Sequence, residues 1–127
     1  MQLFHVWFST KIRQEALQDE RRDFVLASFQ KIAREHGIDL IESEAQFDHV
    51  HILLRASNEP ELSRLMMLLK GISVRELFLN EPELRLSLRS LVFWQKSFGR
   101  RPVPEDQLET VRRYIRTQVD RPLRHND

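Results

Sequence analysis

The sequence predicts an α+β fold, and three observations carry the prediction. A run rich in aromatic and β-branched residues opens the chain at residues 2–9, the composition of a strand. Two long stretches, residues 16–36 and 62–78, place apolar side chains at helical spacing. Between and after them lie shorter apolar segments that read as strands. The order reads strand, helix, strand, strand, helix, strand, helix. That is a ferredoxin-like pattern: an antiparallel sheet with helices packed on it, here extended by an added C-terminal helix.

Each element has a local reason. In the first helix Leu17, Phe24, Val25, Phe29, Ile32 and Ala33 fall largely on one side, and Gly37 suits a left-handed helix end. Residues 39–46 and 47–56 read as two short strands, the second strongly apolar. Asn58-Glu59-Pro60-Glu61 reads as a helix start, with Asn58 as the cap and Pro60 and the acids in the first turn. Leu62, Leu65, Met66 and Leu69 form its stripe, Gly71 interrupts or bends the pattern, and Val74, Leu77 and Phe78 continue it. Glu81-Pro82 marks a break. Residues 88–98 are apolar and aromatic, a fourth strand candidate. Pro104 is expected as the first residue of the last helix, which should run to residue 119 or 120 and stop before Pro122.

The 127 residues fit a single domain spanning 1–127. At 41% hydrophobic and 31% charged, the composition is that of a soluble globular protein. No apolar run approaches the roughly 18–20 residues of a membrane span, and residues 1–10 lack the features of a signal peptide. Without cysteine there is no disulfide, zinc-thiolate site or thiol nucleophile. These features point to the cytoplasm. The net charge of +1 conceals an asymmetry. Residues 1–63 carry 7 Lys/Arg against 11 Asp/Glu, whereas residues 64–127 carry 13 against 8. The second half is a candidate polyanion-binding surface.

Two features carry possible chemistry. In Asp48-His49-Val50-His51 the strand period puts both imidazoles on one face, about 7 Å apart at their origins, with Val50 on the other. The pair reads either as ligands of one divalent metal or as two hydrogen-bonded, partly buried rings. Asp48 either supports the site or sits in the turn. The second feature is Tyr114, the one tyrosine, with Gln118 one helical turn later on the same face. Leu108, Val111, Ile115 and Val119 form that helix's apolar stripe, and the Tyr114/Gln118 pair lies at its edge. Tyr114 is therefore either a rim residue that packs its ring or a side chain that reaches a substrate. Arg112, Arg113, Arg116, Arg121 and Arg124 surround it, a density suited to phosphate or to an ordinary solvated face.

A strand His-hydrophobic-His followed by a helical Tyr-x-x-x-Gln resembles the single-tyrosine HUH transposases of small insertion sequences, and also the transposases associated with REP repeats. Further segments match in order. His5-Val6-Trp7-Phe8-Ser9-Thr10-Lys11 resembles the family's opening strand. Phe47-Asp48-His49-Val50-His51-Ile52-Leu53-Leu54 resembles its metal-binding strand. Leu69-Lys70-Gly71-Ile72-Ser73-Val74-Arg75 resembles its middle helix. Phe93-Trp94-Gln95-Lys96-Ser97-Phe98-Gly99 resembles the strand before the catalytic helix, and residues 111–118 resemble that helix.

The resemblance implies a metal-dependent single-strand DNA endonuclease and strand transferase. Its nucleophile would be Tyr114, and its metal, magnesium or manganese, would be held by His49, His51 and Gln118. Tyr114 would form a 5′-phosphotyrosine at hairpin-bearing element ends, and a DNA 3′ hydroxyl would later reverse it without ATP. A homodimer is implied, its sites either composite or each within one chain. Candidate DNA contacts are Lys11, Arg13, Lys70, Arg75, Lys96, Arg100, Arg101, Arg112, Arg113 and Arg116. Trp94 and Phe98 either stack bases or fill the core. His5 either supports the site from a neighbouring strand or is structural, and stands outside the ligand set. His125 lies in a tail expected to fray. Two further readings stay open: a domesticated repeat-associated transposase, and a non-catalytic nucleic-acid-binding descendant.

Overall fold

Four strands make one antiparallel sheet in the order β2-β3-β1-β4: β1 (Gln2–Ser9), β2 (Leu40–Gln46), β3 (His49–Ala56) and β4 (Gly99–Val103). The computed structural model describes residues 1–11, 16–88 and 92–118, Gln118 as backbone only. The helices are α1 (Asp19–His36), α2 (Glu59–Asn80), the short α3 (Pro82–Leu88) and α4 (Leu108–Gln118), with a 3₁₀ turn over Glu105–Gln107 leading into α4. The strand order is ferredoxin-like, and α4 is the added helix.

Strand alternation splits the core in two. Phe4, Val6 and Phe8 of β1 and Val50, Ile52 and Leu54 of β3 face α1 and α2, where they join Phe29, Ile32, Leu62, Met66 and Leu69. Leu3 and Leu53 face the other way and meet Val103, Val111 and Ile115 beneath α4. The central strands thus bury both faces, and α4 covers only part of the second. That partial cover leaves His49 and His51, of opposite parity to Val50 and Ile52, on the α4 side.

Several ends behave as their residues dictate. Gly37 ends α1 with φ 65°, its N–H bonded to Ala33 O. The Asn58 side chain accepts from Glu61 N at 2.9 Å, while Glu61 accepts from Ser57 N at 2.8 Å, a reciprocal cap. Helix α2 runs through Gly71 without interruption to Asn80. The break falls at Glu81, as expected.

Three boundaries differ from the sequence reading. Helix α1 begins at Asp19 rather than residue 16, because Leu17 is buried in a bridge with Phe47 before the chain turns. The fourth strand is Gly99–Val103, not residues 88–98. Leu88 is the last described residue of α3, residues 89–91 lie outside the described residues, and Phe93 and Trp94 enter the core from an irregular segment that meets β1's extension at a Thr10–Trp94 bridge. Their aromaticity reflects burial, not strand pairing. The true strand, Gly-Arg-Arg-Pro-Val, hides its nature because it is an edge, where Pro102 is tolerated. Finally, Pro104 is extended (φ −61°, ψ 145°) and precedes the 3₁₀ turn instead of opening the helix. The expected continuation of α4 to residue 119 or 120 lies outside the described residues.

Candidate active site

The site is assembled on the α4 face of the sheet by strand register. Trp7 sits opposite His51, Ser9 opposite His49, and His5 opposite Leu53. His5 and His51 are therefore diagonal neighbours, close enough for ring contact. His5 Nε2 lies 3.0 Å from His51 Nδ1, and the ring centroids are 5.2 Å apart. His49 Nδ1 lies 2.5 Å from the Asp48 carboxylate. Asp48 belongs to the β2–β3 turn, where Phe47 takes a left-handed φ of 57°. The turn thus supplies a carboxylate to the first residue of β3.

Burial pushes the His51 ring down to about 4, helped by the neighbouring His49 ring. Burial likewise pushes His5 to about 4, helped by His51 and Arg101. His5 and His51 are uncharged at neutral pH, the state a metal ligand needs. With each Nδ1 engaged by a neighbour, Nε2 remains on His49 and on His51 as the nitrogen for a ligand. Two such nitrogens on one face are donors of the kind a divalent cation takes, while among the described residues no group of three or more His, Asp or Glu side chains gathers to hold one.

Helix α4 brings Tyr114 to the same place. Val111 and Ile115 are buried against Leu3, Leu53 and Val103, while Tyr114, on the flank, is 43% exposed. Its ring stands 6.5 Å from His51, edge-on at 87°, and 6.2 Å from His5. Tyrosine and histidines belong to one chain. Gln118, one turn later, is the last described residue of α4, and its side chain lies outside the described residues.

The helix is anchored from β2. A bulge between Leu40 and Glu42 directs both Ile41 and Glu42 toward α4. Glu42 accepts from Arg112 Nε at 3.3 Å and from Arg116 Nη2 at 2.9 Å. Arg113, next to Tyr114, is exposed.

A family model described as "Transposase IS200 like" matches residues 2–118. The chain belongs to the IS200-like transposases. It is 30% identical over 118 residues to the ISDra2 transposase TnpA of Deinococcus radiodurans, covering 93% of this chain and 84% of that one. It is 26% identical to the transposase for insertion sequence element IS200 of Salmonella typhimurium, covering 92% and 76%. Among solved structures, a proposed transposase from Deinococcus radiodurans R1 superposes with a TM-score of 0.71 at 29% identity, covering 91% of this chain and 89% of the other. A REP-associated tyrosine transposase bound to a REP hairpin shares the fold, with a TM-score of 0.64 at 11% identity, covering 92% and 66%.

In this IS200-like chain the basic residues singled out from sequence divide between the two faces of the sheet. Arg101, Arg112, Arg113 and Arg116 lie on the tyrosine side. Arg100 points to the opposite face, where it pairs with Glu59 and covers Phe98. Lys70 and Arg75 belong to α2 on that face, Arg75 exposed. Lys70 turns inward to the Gln95 carbonyl at 2.6 Å, above Phe8 and Phe98. Lys11 and Lys96 are exposed where β1 ends, and Arg13 lies outside the described residues. Trp94 is buried, its indole N–H donating to Ser73. Among the described residues no helix is long and apolar enough to cross a membrane.

Two contributors carry no motif of their own. Glu42 is one of many surface-type acids, and only the bulge reveals its role. Trp7 fills the space beside His5, its indole lying where a Gly99 Cβ would come within 2.1 Å of Nε1. Gly99→Ala therefore forces the indole or β4 aside. The expected cost is about 1–3 kcal/mol of stability, read as a lower denaturation midpoint; an unchanged midpoint would show that Trp7 moves freely.

Proposed function

We propose that this IS200-like transposase cleaves and rejoins single-stranded DNA at hairpin-bearing element ends, using Tyr114 as nucleophile and a divalent metal, magnesium or manganese. The observation that supports it best is the edge-on approach of an exposed tyrosine ring to His51 within one chain. Spacing alone makes a Tyr-x-x-x-Gln helix unremarkable; beside a strand His-x-His pair it has a chemical use.

His49, His51 and Gln118 would hold the cation, which when bound supplies Lewis-acid polarisation of the scissile phosphate. Tyr114 Oη attacks phosphorus and loses its proton, the P–O3′ bond breaks, and the departing strand leaves with a 3′ hydroxyl. Tyr114 then carries the 5′ phosphate as an ester. A second 3′ hydroxyl attacks that phosphorus and frees Tyr114, so the phosphoester count is conserved and no nucleotide is consumed. Arg101 and Arg113 are the cations of this face best placed for phosphate, with Arg112 and Arg116 engaged in holding α4. Lys11, Arg13, Lys96 and the α2 residues would follow the DNA away from the cut. A homodimer belongs to this reading, but composite sites are not required, since tyrosine and histidines already lie together.

The neighbour solved on a REP hairpin makes a hairpin oligonucleotide the first substrate to test. Incubated with manganese and a hairpin strand carrying a 3′ or 5′ single-stranded extension, the protein should give an adduct that survives denaturing electrophoresis. A chelator should prevent it. Salt-dependent binding without an adduct on any such strand would favour the non-catalytic reading instead.

A further inference from the structure

We propose that His5 is a positioning residue: its Nε2 accepts the Nδ1 proton of His51 and so holds the His51 ring in the tautomer that presents a bare Nε2 to the metal. This inference rests on the metal reading of His49 and His51 proposed above and adds a residue outside that set.

Three observations support it. First, His5 Nε2 and His51 Nδ1 are 3.0 Å apart, and a bond between two neutral imidazoles needs one nitrogen to donate and the other to accept. If His5 donated, the His51 proton would sit on Nε2 and block that lone pair. If His51 donates, the lone pair is free. Second, the neighbouring ring faces the same requirement and meets it unambiguously. The Asp48 carboxylate beside His49 Nδ1 can only accept when ionised, so in the neutral ring the proton sits on Nδ1 and Nε2 is bare. His5 then does from β1 for His51 what Asp48 does from the turn for His49.

Third, His5 is an expensive residue to place here. It is 4% exposed, and its Nδ1 is buried with no hydrogen-bond partner. A phenylalanine would fill the space between Trp7 and Tyr114 without bringing an unpaired nitrogen of its own. A structural role alone does not account for an imidazole with one orphaned nitrogen. A role for the other nitrogen does.

The test compares His5→Phe, which keeps a ring but removes the acceptor, with His5→Gln, whose amide oxygen falls where Nε2 stood. Manganese affinity is read by titration calorimetry, the His51 tautomer by ¹⁵N chemical shifts of the metal-free protein, and folding by thermal denaturation. His51→Ala serves as the reference for loss of a ligand. In the unsubstituted protein His51 should carry its proton on Nδ1. His5→Phe should weaken manganese binding about 10–100-fold and shift His51 toward the Nε2–H tautomer, while His5→Gln should stay within a few fold. A His5→Phe protein that binds manganese normally while His51→Ala does not would overturn the inference alone. A His51 proton on Nε2 in the unsubstituted protein would do the same without any variant. Undiminished binding in His51→Ala would overturn the metal reading, and this inference with it.

Discussion

Tyr114→Phe should give no denaturant-resistant adduct with hairpin DNA while leaving the fold and single-strand binding intact. Tyr114 is the chain's one tyrosine, so no second phenol can take over. Loss of a covalent nucleophile typically costs at least three orders of magnitude, roughly, in rate. The stability cost is small because the residue is 43% exposed and its ring, which makes the contacts to His5 and His51, is kept. Removing an exposed hydroxyl changes stability by about 0.5 kcal/mol or less. DNA affinity should remain within a few fold, since the arginines flanking Tyr114 are untouched. The comparison is made on one denaturing gel, with binding measured in parallel at fixed salt. An adduct of undiminished yield would mean that another group attacks the phosphorus.

The second large effect concerns the helix that carries the nucleophile. Ile115→Ala should cost about 2–4 kcal/mol, the range for truncating a fully buried aliphatic side chain. The damage should be local. The described span of α4, Leu108–Gln118, is 11 residues, a length that depends on tertiary contacts to persist. Among the described residues its buried contacts come from Val111 and Ile115 against Leu3, Leu53 and Val103. Removing Ile115 takes away the larger of these two described anchors, leaving Val111, the partly buried Leu108 and the Glu42–arginine pairs. Those pairs are partly solvated and individually weak. Amide exchange should therefore accelerate through residues 108–117 more than in β1 and β3, whose other face stays packed on α1 and α2. Adduct formation should fall with it, because the tyrosine is no longer held beside the histidines. Uniform acceleration across the protein, or unchanged protection of α4, would contradict this account of how the site is assembled.

Much of this was legible locally. The strand period alone puts His49 and His51 on one side of β3, and the helical period puts Tyr114 at the flank of an apolar stripe. Capping chemistry located the start of α2 at Asn58 and the end of α1 at Gly37. The errors share a cause. The aromatic cluster around Phe93 and Trp94 looks like a strand because burial and strand pairing favour the same residues. Gly99–Val103 does not look like one because an edge strand needs little β propensity and tolerates proline. Likewise Leu17 fits a helical stripe by spacing, yet its burial comes from a bridge to Phe47, far away in sequence.

The sequence by itself determined the α+β class, the parity of the two histidines and the pairing of Tyr114 with Gln118 along one helix. These are periodic properties, set within a turn or a few strand residues. Only the tertiary structure decided that His5 meets His51, that Glu42 holds α4, and that Tyr114 of the same chain stands beside the histidines. Each of those depends on strand register, on a bulge, or on which face of the sheet a helix covers. Such choices are made by the whole core at once, since a slip of one residue would turn every side chain of a strand to the opposite face.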